Sequence, residues 1–296
     1  MKAGSIMAYR SIFSWIGDRI ARRRAPLVPV VRLAGVIGQV GPFRAGLTLT
    51  GLASVLERAF SMRHAKAVAL VVNSPGGSPV QSALIHKRIR DLATEKKLPV
   101  LVFVEDVAAS GGYWLACAGD EIFADENSIL GSIGVITAGF GFPDLLEKIG
   151  VERRVYTAGK SKSMLDPFKP ENPEDVARLR AIQEEMHASF RALVESRRGE
   201  RLHPGETELF DGSFWTGRTA VSLGLADGLG DLRGLLRARF GDKVRLYPVG
   251  MRRPLLAFRA GGAARLAKEA GGWAEALPEA AIGAAEERAL WARYGL

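Results

Sequence analysis

One serine of this sequence lies where a strand is predicted to turn into a helix. Residues 98–104 form a short apolar run rich in β-branched and aromatic side chains, which predicts a buried strand. Ser110 follows this run shortly afterwards, directly behind Ala108 and Ala109, and Gly111 and Gly112 open an apolar segment that predicts a helix. A hydroxyl at such a turn can act as a nucleophile, because the N–H groups at the helix start favour a developing oxyanion. It can equally cap the helix, and this segment alone favours neither interpretation.

A serine hydroxyl becomes a good nucleophile only when a neighbouring base takes its proton. Histidine is poorly supported as that base, because the four histidines occupy charge-rich helical stretches or polar connectors: His64, His86, His187 and His203. Residues 156–168, which follow a strand-like segment at 152–156, instead place Lys160 and Lys162 among small and apolar residues. A lysine acts as a base when burial lowers the pKa of its amine by about 2–3 units from ~10.4. The alternative interpretation of this segment is a solvated basic loop.

A third segment brings a pair of glycines to the end of a predicted strand. Residues 68–72 are apolar and lead into Asn-Ser-Pro-Gly-Gly at 73–77, after which residues 81–92 show a helical pattern. Gly76 and Gly77 can turn their backbone N–H groups toward an anion, because glycine adopts conformations that other residues avoid. Taken alone, Pro-Gly-Gly is more often an ordinary turn.

Together these segments resemble the signal peptide peptidase A (protease IV) family, whose members are serine peptidases with a Ser-Lys dyad. The matching segments occur in the family's order and at roughly its spacing across residues 27 to 245. They are residues 73–77, 109–113, 131–135, 159–163, and 211–220 together with 224–230. Each motif is weak on its own, whereas five in order are a specific signal.

The resemblance implies a role for each matching polar residue. It makes Ser110 the nucleophile and Lys162 the general base, because Lys162 lies at the family lysine's distance from the nucleophile; Lys160 is the weaker candidate. It also makes Ser132 the group that orients the lysine amine. The backbone N–H groups of the oxyanion site would come from glycines: Gly111, with Gly76 or Gly77.

Composition places few limits on this interpretation. The chain has 296 residues, of which 47% are hydrophobic and 25% charged, as in ordinary globular proteins. Its single cysteine, Cys117, excludes an intrachain disulfide and is expected to be a small buried side chain. The sequence contains neither a metal-ligand cluster nor a phosphate-binding loop, so we expect no cofactor and no metal.

The net charge is +9, and much of this excess lies at the N-terminus. Residues 1–24 contain six basic residues and one acidic residue, with apolar side chains at spacings of three and four. This pattern predicts an amphipathic basic helix, which would lie on an anionic membrane surface or pack on another subunit. Because no apolar run is long enough to span a membrane and no clear secretory signal is found, we expect a bacterial cytoplasmic or peripheral inner-membrane location. Nucleic-acid binding is not expected, because the other basic residues are mixed with acidic ones.

Alternating strand and helix patterns predict an α/β fold with a mostly parallel sheet. The predicted strands are 27–37, 68–72 and 100–104, and the predicted helices are 50–61, 81–93, 111–118 and 172–198. The resemblance implies the layered ββα fold that Clp proteases and crotonases share, in a single module. We expect three regions: a basic arm at 1–26, a peptidase domain at 27–250 and an Ala-rich helical tail at 251–296.

The resemblance also implies peptide substrates, such as signal-peptide remnants, and a ring-shaped homo-oligomer with the active sites on its inside. In that family the dyad is completed within a chain or between subunits, and the sequence does not decide between the two. Two other classes stay open: a crotonase-fold enzyme acting on acyl-CoA, and a non-catalytic scaffold of the same fold. A Clp-type protease would need a catalytic histidine soon after its serine. It is disfavoured because residues 111–186 contain no histidine.

Overall fold

A computed structural model describes residues 25–39, 46–203, 205, 207–250, 283–285 and 287–296. The expected basic helix at 1–24 and residues 251–282 of the tail lie outside the described residues. In the described part of the chain, no helix has the length and apolar character needed to cross a bilayer.

Eight strands form one sheet whose pairs are parallel except for the last pair at one edge. The strands are β1 Leu27–Ala34, β2 Val68–Ser74, β3 Val100–Ala109, β4 Glu121–Ala124, β5 Ile129–Gly131, β6 Phe214–Thr216, β7 Gly228–Leu229 and β8 Arg245–Pro248. The main order is β6-β5-β3-β2-β1-β8, and β4 pairs with both β3 and β7. The predicted α/β class with a mostly parallel sheet is confirmed.

The helices lie on both faces of this sheet. They are α1 Leu49–Phe60, α2 Pro79–Lys96, α3 Gly111–Ala116, α4 Pro143–Lys148, α5 Pro173–Arg198, α6 Gly217–Ser222 and α7 Leu232–Phe240. A short 3-10 helix follows α5, and residues 283–285 and 287–292 are helical near the C-terminus.

Side chains of β2 and β3 alternate between two cores, as the two-residue period of a strand requires. Val68, Leu70 and Val72 pack with α1, α2 and α3 in the larger core. Ala69 and Leu101 face the opposite way and pack with α7 in a smaller core. Because both faces are covered, every residue of β2 is buried, which is typical of central strands in parallel sheets.

The strand β3 divides the sheet into two branches. Its first half pairs with β4, and its last residues, Val107 to Ala109, pair with β5. β3 is therefore longer than the predicted strand at 100–104, and its end carries the chain directly to Ser110. β1 is shorter than predicted, since it ends at Ala34 and the chain turns at Gly35.

One other prediction from the sequence is wrong in detail. Residues 152–156, expected to be strand-like, are irregular and mostly exposed, because no neighbouring strand is available to pair with them. The long helix has the predicted bounds, with Asn172 as its N-cap and Pro173 at its first position. Its apolar stripe, however, is mostly uncovered, and only its last third reaches the core through Phe190 and Val194.

The buried end of α5 is held by an ion pair. Arg198 is 2% exposed, and its guanidinium forms two hydrogen bonds with the Asp227 carboxylate, of 2.8 and 3.1 Å. Asp227 also accepts a hydrogen bond from the backbone N–H of Ile122 in β4. This ion pair fixes the C-terminal end of α5. Residues 135–172, which precede α5 in the chain, lie at the surface. We call residues 135–189 the arm.

Candidate active site

Ser110 lies at the turn that joins β3 to α3. Its backbone angles are φ +52° and ψ −123°, and its N–H donates a 2.8 Å hydrogen bond to the carbonyl of Gly131. Non-glycine residues rarely adopt such angles, so the turn is strained and is held by the structure on both sides. Ser110 occupies the N-cap position of α3, but its side chain makes no capping hydrogen bond to the helix. Within the described residues its hydroxyl has no hydrogen-bond partner.

The two glycines after β2 lie directly against this turn. A Cβ atom on Gly76 would come within 2.8 Å of Ser110 Cβ, and one on Gly77 within 2.1 Å of the Ile37 carbonyl oxygen. Both glycines also have positive φ angles, of 105° and 138°. The site therefore requires glycine at these two positions for space as well as for conformation. The helix α2 begins immediately afterwards, with Ser78 as its N-cap.

Two backbone N–H groups beside Ser110 are available to an oxyanion. Among the described residues, the N–H groups of Gly77 and Gly111 donate to no protein acceptor. The N–H of Gly76 instead donates to Ser74 Oγ at 3.2 Å. Of the alternatives left open by the sequence, Gly77 is therefore the one with a free donor.

Ser110 opens into a small cavity of about 20 Å³. Its lining includes Gly77, Ser110 and Gly111 together with the larger side chains Trp114, Met186 and Phe190. The rings of Trp114 and Phe190 stack with their centroids 4.8 Å apart, which joins α3 to the buried part of α5. The pocket beside the candidate nucleophile is thus narrow and apolar.

Ser132 lies one residue beyond the carbonyl that holds Ser110. It is 5% exposed, has a φ of +52°, and its N–H donates to the Ser213 carbonyl at 2.7 Å. Its hydroxyl accepts a 3.2 Å hydrogen bond from the hydroxyl of Tyr294. The structure therefore brings Ser132 to the same region as Ser110, Gly76, Gly77 and Gly111.

The structure does not bring either lysine into this cavity. Lys160 and Lys162 are both exposed, and neither lines the pocket of Ser110. Lys160 lines a separate cavity of about 1000 Å³ within the arm, together with Phe140 and Leu179. The burial expected for a lysine base is therefore not found within this one chain.

Other titratable side chains near the site have structural roles. Burial lowers the pKa of His86 to about 4, so this histidine is neutral and lies behind α3. A ring nitrogen of His187 lies 3.1 Å from the Ile133 carbonyl, to which it must donate a proton. Burial raises the pKa of Cys117 to about 12, which confirms its expected role as a small buried side chain. Within the described ranges, no His, Cys, Asp and Glu cluster suited to a metal ion is found.

Three contacts that shape the site were not identified from the sequence. Asn73 links the ends of β2 and β3, because its side-chain amide donates a 2.6 Å hydrogen bond to the Asp106 carboxylate. The sequence indicated Asn73 only as the first residue of the motif at 73–77. The Arg198–Asp227 pair and the Tyr294–Ser132 contact join residues that are distant in sequence. The motif Gly-Leu-Ala-Asp-Gly at 224–228 contains Asp227, but the sequence does not indicate that Asp227 pairs with Arg198.

Comparison with known proteins identifies relatives over most of the chain. The sequence model of Peptidase family S49 matches residues 93–239, a range that contains both Ser110 and Lys162. A putative protease of Synechocystis is 33% identical over 221 residues, which are 72% of this chain and 79% of that protein. A putative signal peptide peptidase SppA of Enterococcus faecium is 39% identical over 170 residues, which are 56% of this chain and 47% of that protein.

A longer relative matches almost the whole chain. A Brucella abortus protein named Na(+)/H(+) antiporter NhaA is 55% identical over 275 residues, which cover 91% of this chain but 37% of that protein. The chain spans between 31% and 37% of the length of the first curated relatives that it matches. The motif-based resemblance to signal peptide peptidase A is confirmed, and the chain belongs to Peptidase family S49.

Proposed function

We propose that this chain is a serine endopeptidase in which Ser110 is the nucleophile. The observation that carries the proposal is the geometry of the β3–α3 turn. As far as the described residues show, it holds an unpartnered Ser110 hydroxyl beside a narrow apolar cavity and next to the free N–H groups of Gly77 and Gly111. Membership of family S49 supports the same reaction class.

The proposed reaction begins when Ser110 Oγ attacks the carbonyl carbon of a peptide bond. The base takes the hydroxyl proton as the new C–O bond forms. The oxyanion that develops on the carbonyl oxygen accepts hydrogen bonds from the N–H groups of Gly77 and Gly111. The base then gives its proton to the leaving amine, the C–N bond breaks, and water hydrolyses the acyl-enzyme by the reverse proton path.

Lys162 is the proposed base, and it would reach Ser110 of a neighbouring copy. The arm that carries it exposes large apolar side chains, including Phe140 (82% exposed) and Tyr156 (90% exposed). Leaving such side chains in water is unfavourable, and packing them against a second copy would bury them. Packing of this kind would also remove the Lys162 amine from water, as a neutral base requires.

The loop around Lys162 has internal contacts that would hold the amine in place. Arg153 pairs with Asp166 and its guanidinium lies 4.8 Å from the ring centre of Phe168. Arg178 of α5 donates a hydrogen bond to Ser161, the residue before Lys162. Order in this loop before assembly would lower the entropy cost of bringing the base to the nucleophile.

Peptides with small apolar side chains at the cleavage site are the proposed substrates, and remnants of signal peptides are a natural source. The support is the cavity at Ser110, which Trp114, Met186 and Phe190 keep narrow and apolar. A ring-shaped homo-oligomer would restrict access further and limit cleavage to unfolded chains. Contact of residues 1–24 with an anionic membrane surface stays a prediction from the sequence.

The test of this proposal is the Ser110→Ala variant. We expect it to lose at least about 10³-fold in turnover of casein or an apolar fluorogenic peptide, because no other hydroxyl replaces the nucleophile. Circular dichroism and thermal unfolding should match the wild type, since one oxygen atom is removed. Ser222→Ala, at an exposed helical serine, is the matched control and should keep full activity. Turnover by folded Ser110→Ala at the wild-type rate would overturn the proposal.

A further inference from the structure

Tyr294, three residues from the end of the chain, contacts the centre of the candidate site. Its hydroxyl donates a 3.2 Å hydrogen bond to Ser132 Oγ, although the two residues are 162 positions apart. Its ring packs edge-on against Phe214, with ring centres 5.2 Å apart and an angle of 72°. The hydroxyl of Tyr294 therefore binds Ser132 while its ring packs on Phe214.

The surface under Tyr294 is the pair of strands that carries Ser132. Phe214 begins β6, which pairs antiparallel with β5, and Gly131 at the end of β5 is the register partner of Phe214. The Gly131 carbonyl accepts the N–H of Ser110, and Ser132 is the next residue. The contact with Ser132 is thus only one residue away from the carbonyl that holds Ser110.

The backbone around Tyr294 is also held in place. The Trp291 carbonyl accepts hydrogen bonds from the N–H groups of Tyr294 and Leu296, at 2.9 and 3.3 Å. These bonds close the turn that ends the C-terminal helix and set the direction of the Tyr294 side chain. The hydroxyl therefore reaches Ser132 from an ordered turn.

We propose that Tyr294 is a positioning residue that holds the Ser132 hydroxyl in the orientation needed by the lysine base. This inference rests on the proposed function. A hydroxyl oxygen has two lone pairs and one proton. With one lone pair occupied by Tyr294, the Ser132 side chain is fixed, and the second lone pair is left to accept an N–H of the Lys162 amine.

The same contact favours the uncharged form of the base. The amine must be neutral to take the proton from Ser110. An oxygen that already accepts one hydrogen bond has less capacity to stabilise an ammonium group, so Tyr294 opposes protonation of the amine. Loss of the Tyr294 hydroxyl should therefore both loosen Ser132 and move the activity to higher pH.

Tyr294→Phe tests this inference, because it removes the hydroxyl and keeps the ring on Phe214. We expect kcat to fall about fivefold, the factor given by one hydrogen bond of ordinary net strength, with KM unchanged. The rising limb of the kcat/KM profile should shift to higher pH. Leu296→Ala changes an exposed side chain of the same turn and should alter neither quantity.

A second pair of variants separates positioning from a general structural effect. Ser132→Ala removes the acceptor, so adding Tyr294→Phe to it should cause no further loss. Equal rates and pH profiles for wild type and Tyr294→Phe would overturn the inference. So would faster turnover, which would mean that the C-terminal turn obstructs the site, or additive losses in the double variant. If the wild type shows no Ser110-dependent cleavage, the proposed function itself fails and the positioning role fails with it.

Discussion

At the scale of single residues, the proposed chemistry depends on a serine that the fold strains and whose hydroxyl has no partner in the described part of the chain. Ser110 has a positive φ, while the residues around it are glycines or small side chains that permit close approach of the backbone. Strain of this kind persists only where the surroundings hold it, and it is concentrated at functional sites. An acyl-transfer site needs a nucleophile and donors for an oxyanion. The Ser110 hydroxyl and the N–H groups of Gly77 and Gly111 could supply both.

The assignment of the base can be tested between two lysines of the same loop. Lys162→Arg should reduce kcat/KM nearly as much as Lys162→Ala, because a guanidinium keeps its proton in a protein and cannot act as a base. Lys160→Ala should retain most of the activity. Both lysines are exposed and two residues apart, so each serves as the control for the other. Loss of activity in Lys160→Ala with retention in Lys162→Ala would reverse the assignment.

At the scale of elements, a partly buried polar cluster connects α2, the segment after α3 and the end of α5. Arg197 donates to the Cys117 and Gly119 carbonyls at 2.9 and 2.8 Å, and Arg90 donates to the Ala118 carbonyl and to Asp120. His86 lies beneath these arginines, and its Nε2 atom has no hydrogen-bond partner among the described residues. The cluster holds α5 against the end of α3, and α3 begins directly after Ser110, the proposed nucleophile.

The buried histidine makes this cluster sensitive to acid. His86 has a pKa of about 4 in the folded protein, caused first by burial and then by the charge of Arg197, against 6.5 in the unfolded chain. Above pH 6.5 the His86 imidazole is neutral in both the folded and the unfolded state, so His86 does not reduce the free energy of unfolding there. Below it the unfolded chain binds a proton first, so the free energy of unfolding should fall by up to about 3 kcal/mol as the pH drops to 4.

His86→Leu should lack this part of the acid dependence when unfolding by urea is measured between pH 7 and 4. Carboxylates that lose their ion pairs in acid affect both proteins, so the difference between the two curves isolates the histidine. His64→Asn, at an exposed histidine with positive φ, should keep the wild-type curve. Parallel curves for wild type and His86→Leu would show that His86 does not titrate in this way.

At the scale of the whole molecule, one copy of the chain keeps the proposed nucleophile and the proposed base apart. The core of the domain positions Ser110, whereas the arm carries Lys162 and a surface of uncovered apolar side chains. Uncovered apolar side chains of this kind favour contact with another chain. The proposed completion between copies would bring the base to the nucleophile and bury the arm together.

Mixing two inactive variants tests completion between copies. Ser110→Ala supplies an intact lysine, and Lys162→Ala supplies an intact serine. If each site takes its base from a neighbour, oligomers reassembled from equal amounts should recover about a quarter of the wild-type activity, the share of interfaces with the right pair in a random ring. If the dyad forms within one chain, the mixture should stay inactive. Each variant incubated with itself is the control.

The sequence by itself determined the parts of the site that depend on local backbone geometry. Apolar runs predicted β2, β3 and the helices after them, and the glycines at 76–77 and 111–112 marked the tight turns that end both strands. In the structure β2 and β3 pair in parallel and end at the same edge of the sheet, so the two turns meet there. The sequence located each turn by its glycines, although the predicted strand at 100–104 is shorter than β3.

Only the tertiary structure decided which distant residues meet. The strand-like pattern at 152–156 did not become a strand, since a strand needs a neighbour and the arm offers none. The anchor between Arg198 and Asp227 and the contact between Tyr294 and Ser132 depend on how whole elements pack. The separation of Lys162 from Ser110 is likewise a matter of packing. Local patterns record the preference of a segment for strand, helix or turn, and a contact between distant segments is set by the free energy of burying both together.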